Sequence, residues 1–95
     1  MYLLVLELLV FKLEMDKQLI INKINDGLAN EFEKDAATFL PDADMRQTLE
    51  LDSLDMVDLV VLIEEDFGIK VKKEDFSSIK TFKNLYDFLD SRINR

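Results

Sequence analysis

The fold is decided by residues 51–69, which read LDSLDMVDLVVLIEEDFGI. Apolar residues recur in this stretch at the three- and four-residue spacing of a helix, so we predict a helix over residues 53–66 with one buried face. The buried face carries Leu59, Val60, Ile63 and Phe67. The outer side carries Asp55, Asp58, Glu64, Glu65 and Asp66. The segment therefore predicts an amphipathic helix whose outer side is negatively charged.

The ends of this helix carry start and stop signals. Asp52 is suited to cap the first turn, and Asp55, three positions later, completes a variant of the capping box. Both carboxylates complement the positive end of the helix dipole. Gly68 stands where a C-cap glycine belongs. From the residues alone, Ser53 is an exposed residue in the first turn of a capped helix.

Two further helices are predicted outside this stretch. Residues 16–33 begin with Asp16 as N-cap and repeat an apolar residue every four positions. That stripe consists of Ile20, Ile24, Leu28 and Phe32. Residues 81–93 begin with Thr81 as N-cap, and their stripe consists of Phe82, Leu85, Leu89 and Ile93. Between the helix at 53–66 and the helix at 81–93, residues 69–80 are predicted to hold a short linker with one helical turn near Lys73–Phe76.

A long connection covers residues 34–52, where Pro41 and the Asp-Ala-Asp that follows it break the helical period. Loops of this length are uncommon in small domains and are often functional. We expect four of its apolar residues to turn inward, namely Phe39, Leu40, Leu49 and Leu51. A calcium loop starting at Asp42 would need Gly at position 47 and Glu at position 53. Those positions hold Gln47 and Ser53, so no metal site is predicted.

Composition narrows the class of function. The chain has 95 residues, enough for one domain, with 20 Asp and Glu against 12 Lys and Arg and a net charge of -8. Such a charge repels nucleic acid and favours partners with basic surfaces. The chain has no Cys and no His, so it lacks a thiolate nucleophile and the imidazole that usually activates a catalytic serine. We therefore predict that it is not an enzyme.

Residues 1–14, MYLLVLELLVFKLE, differ from the rest because they are nearly all apolar. The run is shorter than the roughly 20 residues that span a bilayer, so stable membrane insertion is not predicted. It lacks the basic start and the cleavage site of a signal peptide. Two interpretations stay open, a start-site artefact ahead of Met15 and an extra helix. We therefore predict an apolar extension at 1–14, a domain at 15–95, and a protein that is mostly monomeric, with the extension as the surface for any self-association.

The segment from Leu49 to Ile69 resembles the attachment site of acyl carrier proteins, in which Asp-Ser-Leu opens the second helix of a four-helix bundle. The shared features are Asp52-Ser53-Leu54, the apolar and acidic alternation after it, and the acidic triplet before Phe67-Gly68-Ile69. The order of elements agrees, so the resemblance covers residues 16–93. It implies an all-α, acyl-carrier-like four-helix bundle, with three longer helices, one short helix and a long loop between helices 1 and 2.

The same resemblance implies a function. A phosphopantetheinyl transferase would attach 4′-phosphopantetheine from coenzyme A to Ser53. Acyl groups would then be carried as thioesters on the thiol of this group. The second helix would dock basic surfaces of a ketoacyl synthase, an acyltransferase or an acyl ligase, in fatty-acid or specialised lipid or polyketide-type biosynthesis. The implied docking residues are Asp52, Leu54, Asp55, Val57, Asp58, Val61, Glu64 and Glu65. A cytoplasmic carrier that binds no nucleic acid is expected.

One departure keeps alternatives open. Many acyl carrier proteins have Gly two residues before the attachment Asp, where this chain has Glu50, which hints at a specialised carrier. A D-alanyl carrier is one alternative. Another is an unmodified acidic module that only binds a partner.

Overall fold

The helices of the computed structural model follow the apolar stripes of the sequence. The model describes residues 16–94, which form four α-helices and two 3₁₀ helices. The α-helices are α1 (Lys17–Phe32), α2 (Met45–Leu49), α3 (Ser53–Phe67) and α4 (Phe82–Ile93). The 3₁₀ helices are Ala36–Thr38 and Lys73–Ser78. The all-α class and the three longer helices are confirmed. The extension at residues 1–14 lies outside the described residues.

The core lies where α1 packs against α3 and α4. The predicted stripe of α1 is buried at Ile20, Ile24 and Leu28, while Phe32 is half-buried. The other helices contribute fully buried side chains at Leu59, Ile63, Phe82, Leu85 and Leu89. Because each buried aliphatic side chain contributes roughly 1.5–3 kcal/mol, this shared apolar layer holds the three helices together.

The caps predicted from sequence are present at both outer helices. Asp16 accepts a hydrogen bond from Gln18 N at 3.2 Å at the start of α1. At the start of α4, Thr81 Oγ1 accepts from Asn84 N at 3.1 Å, and Asn84 Oδ1 accepts from Thr81 N at 3.1 Å. These bonds satisfy backbone donors that have no partner inside the helix, so they fix where each helix begins.

α1 and α3 come close together at Gly27. A Cβ atom on Gly27 would lie 3.1 Å from Asp66 Oδ2 and 3.2 Å from a methyl group of Leu62. Asp66, predicted on the outer side of α3, therefore faces α1 and is half-buried. The prediction for Asp66 was wrong because the acidic triplet spans most of a helical turn and cannot lie entirely on one side.

The long loop is more ordered than its sequence indicates. It contains the 3₁₀ helix Ala36–Thr38 and the five-residue helix α2, neither of which was predicted. Phe39 and Leu49 are buried and Leu51 is half-buried, as expected. The Phe39 ring stacks on Phe82 with centroids 4.9 Å apart. These contacts pin the loop to the core, so it approaches α3 along a fixed path.

Leu40 corrects one expectation about this loop. Its side chain is 61% exposed, although it was predicted to turn inward. The preceding Phe39 takes the inward position, and neighbouring side chains of a non-helical segment point in opposite directions. Leu40 N donates to Thr38 O at 2.9 Å, which holds this outward turn in place.

The predicted helical turn near Lys73–Phe76 is confirmed as the 3₁₀ helix Lys73–Ser78. Asp75 ties it down, since its carboxylate accepts from Lys72 N at 2.8 Å and from Arg92 at 3.0 Å. Phe76 and Ile79 bury their side chains in the core. Residues 71–77 are therefore held in a fixed position opposite α3. Among residues 16–94, no helix has the length and apolar character needed to cross a membrane.

Candidate functional site

The turn that leads into α3 is held by two contacts. Glu50 ends α2 with a left-handed backbone, φ 55° and ψ 49°, a region that disfavours side chains and favours glycine. Its carboxylate forms an ion pair with Lys34. The hydrogen bond and charge of Lys34 lower the pKa of Glu50 below its usual value. Leu51 N also donates to Arg46 O at 2.9 Å. The chain therefore enters α3 from a turn that is tied to the end of α1.

The start of α3 is a complete capping box, as predicted. Asp52 Oδ1 accepts from Asp55 N at 2.8 Å, and Asp55 Oδ2 accepts from Asp52 N at 3.1 Å. The first turn of α3 therefore has a defined geometry, which places Ser53 at its first helical position.

Ser53 is exposed at this position. Among residues 16–94, its hydroxyl takes part in no hydrogen bond, so the oxygen is available for modification. An anion on this oxygen would lie beside the free N–H groups and the positive dipole end of α3, both of which favour phosphate. The residues present therefore fit a phosphate-linked group at Ser53.

A cleft of about 810 Å³ opens beside Ser53. Its walls come from α2, α3 and residues 71–77, and most of its lining is apolar. The apolar lining residues are Leu51, Met56, Val57, Val60, Val71 and Phe76. The polar ones are Arg46, Asp52, Ser53, Lys73 and Ser77. The cleft can accommodate a flexible apolar chain, and it reaches the surface at the same place as the Ser53 hydroxyl.

The lining of this cleft is not predictable from the sequence, because its walls lie up to 31 positions apart in the chain, from Arg46 to Ser77. Such pairings depend on how α2 and the 73–78 helix fold back on α3. One local signal was available, since Lys70, Lys72 and Lys73 form a basic cluster in a chain of net charge -8. The cluster stands out against the acidic remainder of the chain.

The outer side of α3 presents three large apolar side chains. Leu54 is 76% exposed, Val57 is 59% exposed and Val61 is 46% exposed. Asp58 and Glu65 are also exposed on this helix. Exposed apolar groups ringed by charge are typical of interaction surfaces. We call the set Leu54, Val57, Asp58, Val61 and Glu65 the α3 face.

Three of the acids in the implied docking set have partners within the chain. Asp52 and Asp55 bind each other's backbone in the capping box. Glu64 is half-buried, and its Oε2 accepts from Val71 N at 3.1 Å, which connects α3 to the segment before the 73–78 helix. The eight implied residues thus lie on α3 and its N-cap, and three of them also form hydrogen bonds within the chain that stabilise the fold.

The part of the chain that the structure describes, residues 16–94, contains no group of three or more His, Cys, Asp or Glu side chains placed to hold a metal ion. Most of its acids cap helices, form ion pairs or face solvent, while Glu64 accepts from Val71 N and Asp66 faces α1.

Comparison with known proteins gives a consistent result. Residues 22–89 match the family model described as a phosphopantetheine attachment site. The acyl carrier protein of Syntrophobacter fumaroxidans is 39% identical over 75 residues, which cover 79% of this chain and 93% of that protein. That of Rubrobacter xylanophilus is 35% identical over 75 residues with the same coverage. That of Thermosynechococcus vestitus is 29% identical over 79 residues, covering 83% of this chain and 98% of that protein.

The matched region contains the cap, the free serine, the cleft and the α3 face. The family model covers well over half of the chain, and the relatives are matched over nearly their whole length. The chain belongs to the family of acyl carrier proteins, which are carriers and not enzymes and which hold a covalently attached 4′-phosphopantetheine.

Proposed function

We propose that this chain carries acyl intermediates as thioesters on a 4′-phosphopantetheine arm attached to Ser53, in fatty-acid or specialised lipid or polyketide-type biosynthesis. The observation that carries the proposal is the exposed, unbonded Ser53 hydroxyl at the first position of a capped helix, at the mouth of an apolar cleft. Membership of the carrier family supports it. The cytoplasm is the compartment we propose.

Loading is a phosphoryl-type transfer from coenzyme A. A bond forms between Ser53 Oγ and the phosphorus next to pantetheine, while the bond from that phosphorus to the bridging oxygen of the diphosphate breaks. Adenosine 3′,5′-bisphosphate leaves. The proton of the serine passes to a base of the transferase, because this chain has no His and no residue among 16–94 forms a hydrogen bond with the hydroxyl.

The attached arm supplies the thiol that this cysteine-free chain lacks. The residues of the chain then have two tasks. The capping box holds Ser53 at a fixed point of the surface. The cleft offers apolar walls at Met56, Val60 and Phe76, which shield an apolar cargo from water.

The α3 face is proposed as the docking surface for partner enzymes. Its exposed apolar centre consists of Leu54, Val57 and Val61, and Asp58 and Glu65 flank it. We propose a phosphopantetheinyl transferase, a ketoacyl synthase, an acyltransferase or an acyl ligase with basic surfaces as the partners. Rim charges of this kind accelerate encounter and set register more than they add affinity, which suits a carrier that must leave each enzyme quickly.

The attachment is tested by incubating the protein with coenzyme A and a broadly acting transferase, followed by intact mass spectrometry. The wild-type chain is expected to gain one phosphopantetheine group and Ser53→Ala none. Ser78→Ala is the matched control, because Ser78 is another exposed serine that does not line the cleft. Absence of a mass gain in the wild type, or its persistence in Ser53→Ala, would refute the proposed function.

Docking is tested by charge reversal. The double variant Asp58→Lys/Glu65→Lys is expected to slow loading, with the largest loss at low ionic strength. Asp42→Lys is the control, since Asp42 is exposed but lies in the loop outside the α3 face. Equal slowing per unit of charge by the control would show that only net charge matters. An unmodified interaction module instead predicts no mass gain, together with partner binding that Ser53→Ala leaves intact.

A further inference from the structure

The lining of the cleft carries two positive charges, against one negative charge at Asp52, in a chain whose net charge is -8. Arg46 comes from α2 and Lys73 from the first position of the 73–78 helix, and both line the cleft together with Ser53. Both side chains are exposed. Two elements that are distant in the sequence thus each place a cation on the lining of the cleft that Ser53 also lines.

Neither cation is neutralised by the protein. Within the described residues, the ion pairs are Lys17–Asp87, Lys34–Glu50 and Arg92–Asp75, and no hydrogen bond engages the side chain of Arg46 or Lys73. The acid nearest to Arg46 in the sequence, Asp44, accepts from Gln47 N and caps α2. The acid nearest to Lys73, Glu74, forms no ion pair among residues 16–94. Glu50 and Asp75, slightly further along, are paired with Lys34 and Arg92. The charges of Arg46 and Lys73 are therefore available to an external anion.

We propose that Arg46 and Lys73 hold the phosphate of the arm and so direct the arm into the cleft. The inference rests on attachment at Ser53. The phosphate is the anion that attachment fixes at Ser53, and Ser53 lines the same cleft as both exposed cations. The deeper lining, Val71 and Phe76, is buried and apolar, so a charged group on the cargo would find no partner there.

The chemistry of the two side chains suits this task. The guanidinium of Arg46 presents a planar set of donors that can bind two phosphate oxygens at once. The ammonium of Lys73 acts as a point charge with three donors. Contact from α2 on one side and from the 73–78 helix on the other would turn the start of the arm away from the α3 face and toward the cleft.

Apolar contact alone is the competing explanation, and it responds oppositely to salt. Raising the salt concentration from about 0.1 M to about 1 M shortens the Debye length from about 10 Å to about 3 Å and weakens exposed charge pairs. The same change leaves apolar burial intact or strengthens it. A salt titration of the loaded wild-type protein therefore separates the two explanations without any variant.

The experiment uses loaded protein whose mass confirms one arm on Ser53. The readouts are the ³¹P chemical shift of the phosphodiester and the nuclear Overhauser effects between the geminal methyl groups of the arm and the methyl groups of Val57 and Val60. The variants are Arg46→Gln, Lys73→Gln, their combination and the charge-preserving Arg46→Lys. Lys83→Gln is the control, because Lys83 is exposed on α4 and does not line the cleft.

We expect each Gln variant to lower the ratio of cleft-bound to free arm about two- to fivefold, the range for exposed charge pairs, and the combination to lower it further. Arg46→Lys should retain most of the bound arm, Lys83→Gln all of it, and high salt should release it in the wild type. Unchanged spectra in the double variant, or bound arm that persists at high salt, would overturn the inference while the mass gain upholds the attachment. A missing mass gain would remove both. If the double variant does not load, the single variants and the salt titration decide.

Discussion

Replacing Asp52 separates its two effects at the site, the capping of α3 and the negative charge next to Ser53. Asp52 Oδ1 accepts from Asp55 N at 2.8 Å and so caps the first turn of α3, while its charge lies next to Ser53. Asp52→Ala removes both the acceptor and the charge. Asp52→Asn keeps an amide oxygen that caps a helix about as well as a carboxylate, but it removes the charge.

The expected magnitudes follow from the capping bond. Loss of an N-cap acceptor costs about 1 kcal/mol, within a range of roughly 0.5–2 kcal/mol. For a domain of about this size, 1 kcal/mol corresponds to a fall in Tm of about 4–8 °C. Asp52→Ala should therefore lower the Tm of the unloaded protein by about that amount, whereas Asp52→Asn should lower it by less than about 2 °C. The return bond from Asp52 N to Asp55 survives in both variants, because its donor is backbone.

The assay combines thermal denaturation, followed by circular dichroism, with the initial rate of loading by a transferase. Stability should rank the wild type and Asp52→Asn above Asp52→Ala, whereas loading should rank the wild type above both variants. Asp42→Ala is the control, since Asp42 is exposed and outside any cap, and it should stay within about 0.5 kcal/mol of the wild type. Equal destabilisation by Asn and Ala would show that the charge and not the cap stabilises α3. An unchanged Tm in Asp52→Ala would refute the capping argument.

Three further predictions concern the surroundings of the site. Glu50→Gly should melt at a higher temperature than Glu50→Ala. Both variants lose the ion pair with Lys34, but only glycine avoids the strain of about 1 kcal/mol that a residue with a Cβ atom has in a left-handed backbone. Equal melting temperatures would contradict this. Burial raises the pKa of Tyr86 despite an opposing hydrogen bond to Asn25. The contribution of Tyr86 to stability is therefore complete below about pH 10 and is lost as the pH rises through the raised pKa. In urea denaturation across that range, Tyr86→Phe should lose less of its free energy of unfolding than the wild type. Leu59→Ala should cost about 2–5 kcal/mol in urea denaturation because Leu59 is fully buried, and a loss below about 1 kcal/mol would place it outside the core.

The sequence predicted those parts of the fold that depend on local periodicity and caps. Ile20, Ile24 and Leu28 are buried because a four-residue spacing leaves one side of a helix apolar whatever it packs against. The capping box of α3 joins two residues three positions apart, so it was also predicted from the sequence. Such features need no knowledge of the tertiary structure.

Features that depend on packing between distant segments were not predicted. α2 has only five residues, too few for periodicity to show. Leu40 points outward because Phe39 already occupies the site against Phe82. Glu64 looked like a free surface acid, but the fold brings Val71 N within 3.1 Å of it. For Leu40 and Glu64 the outcome depended on contacts with segments distant in the sequence, Phe39 with Phe82 and Glu64 with Val71.

These nonlocal contacts give α3 two working surfaces that meet at one residue. Val57 lines the cleft and is also 59% exposed on the α3 face. A partner that docks on this face therefore touches a side chain that also forms a wall of the cleft. Because Leu59 and Ile63 fix the opposite side of α3 in the core, the helix cannot rotate away from such a contact. On the proposed function, pressure on Val57 is expected to alter the cleft, which would couple docking to release of the cargo through the side chains of α3 without movement of the whole helix.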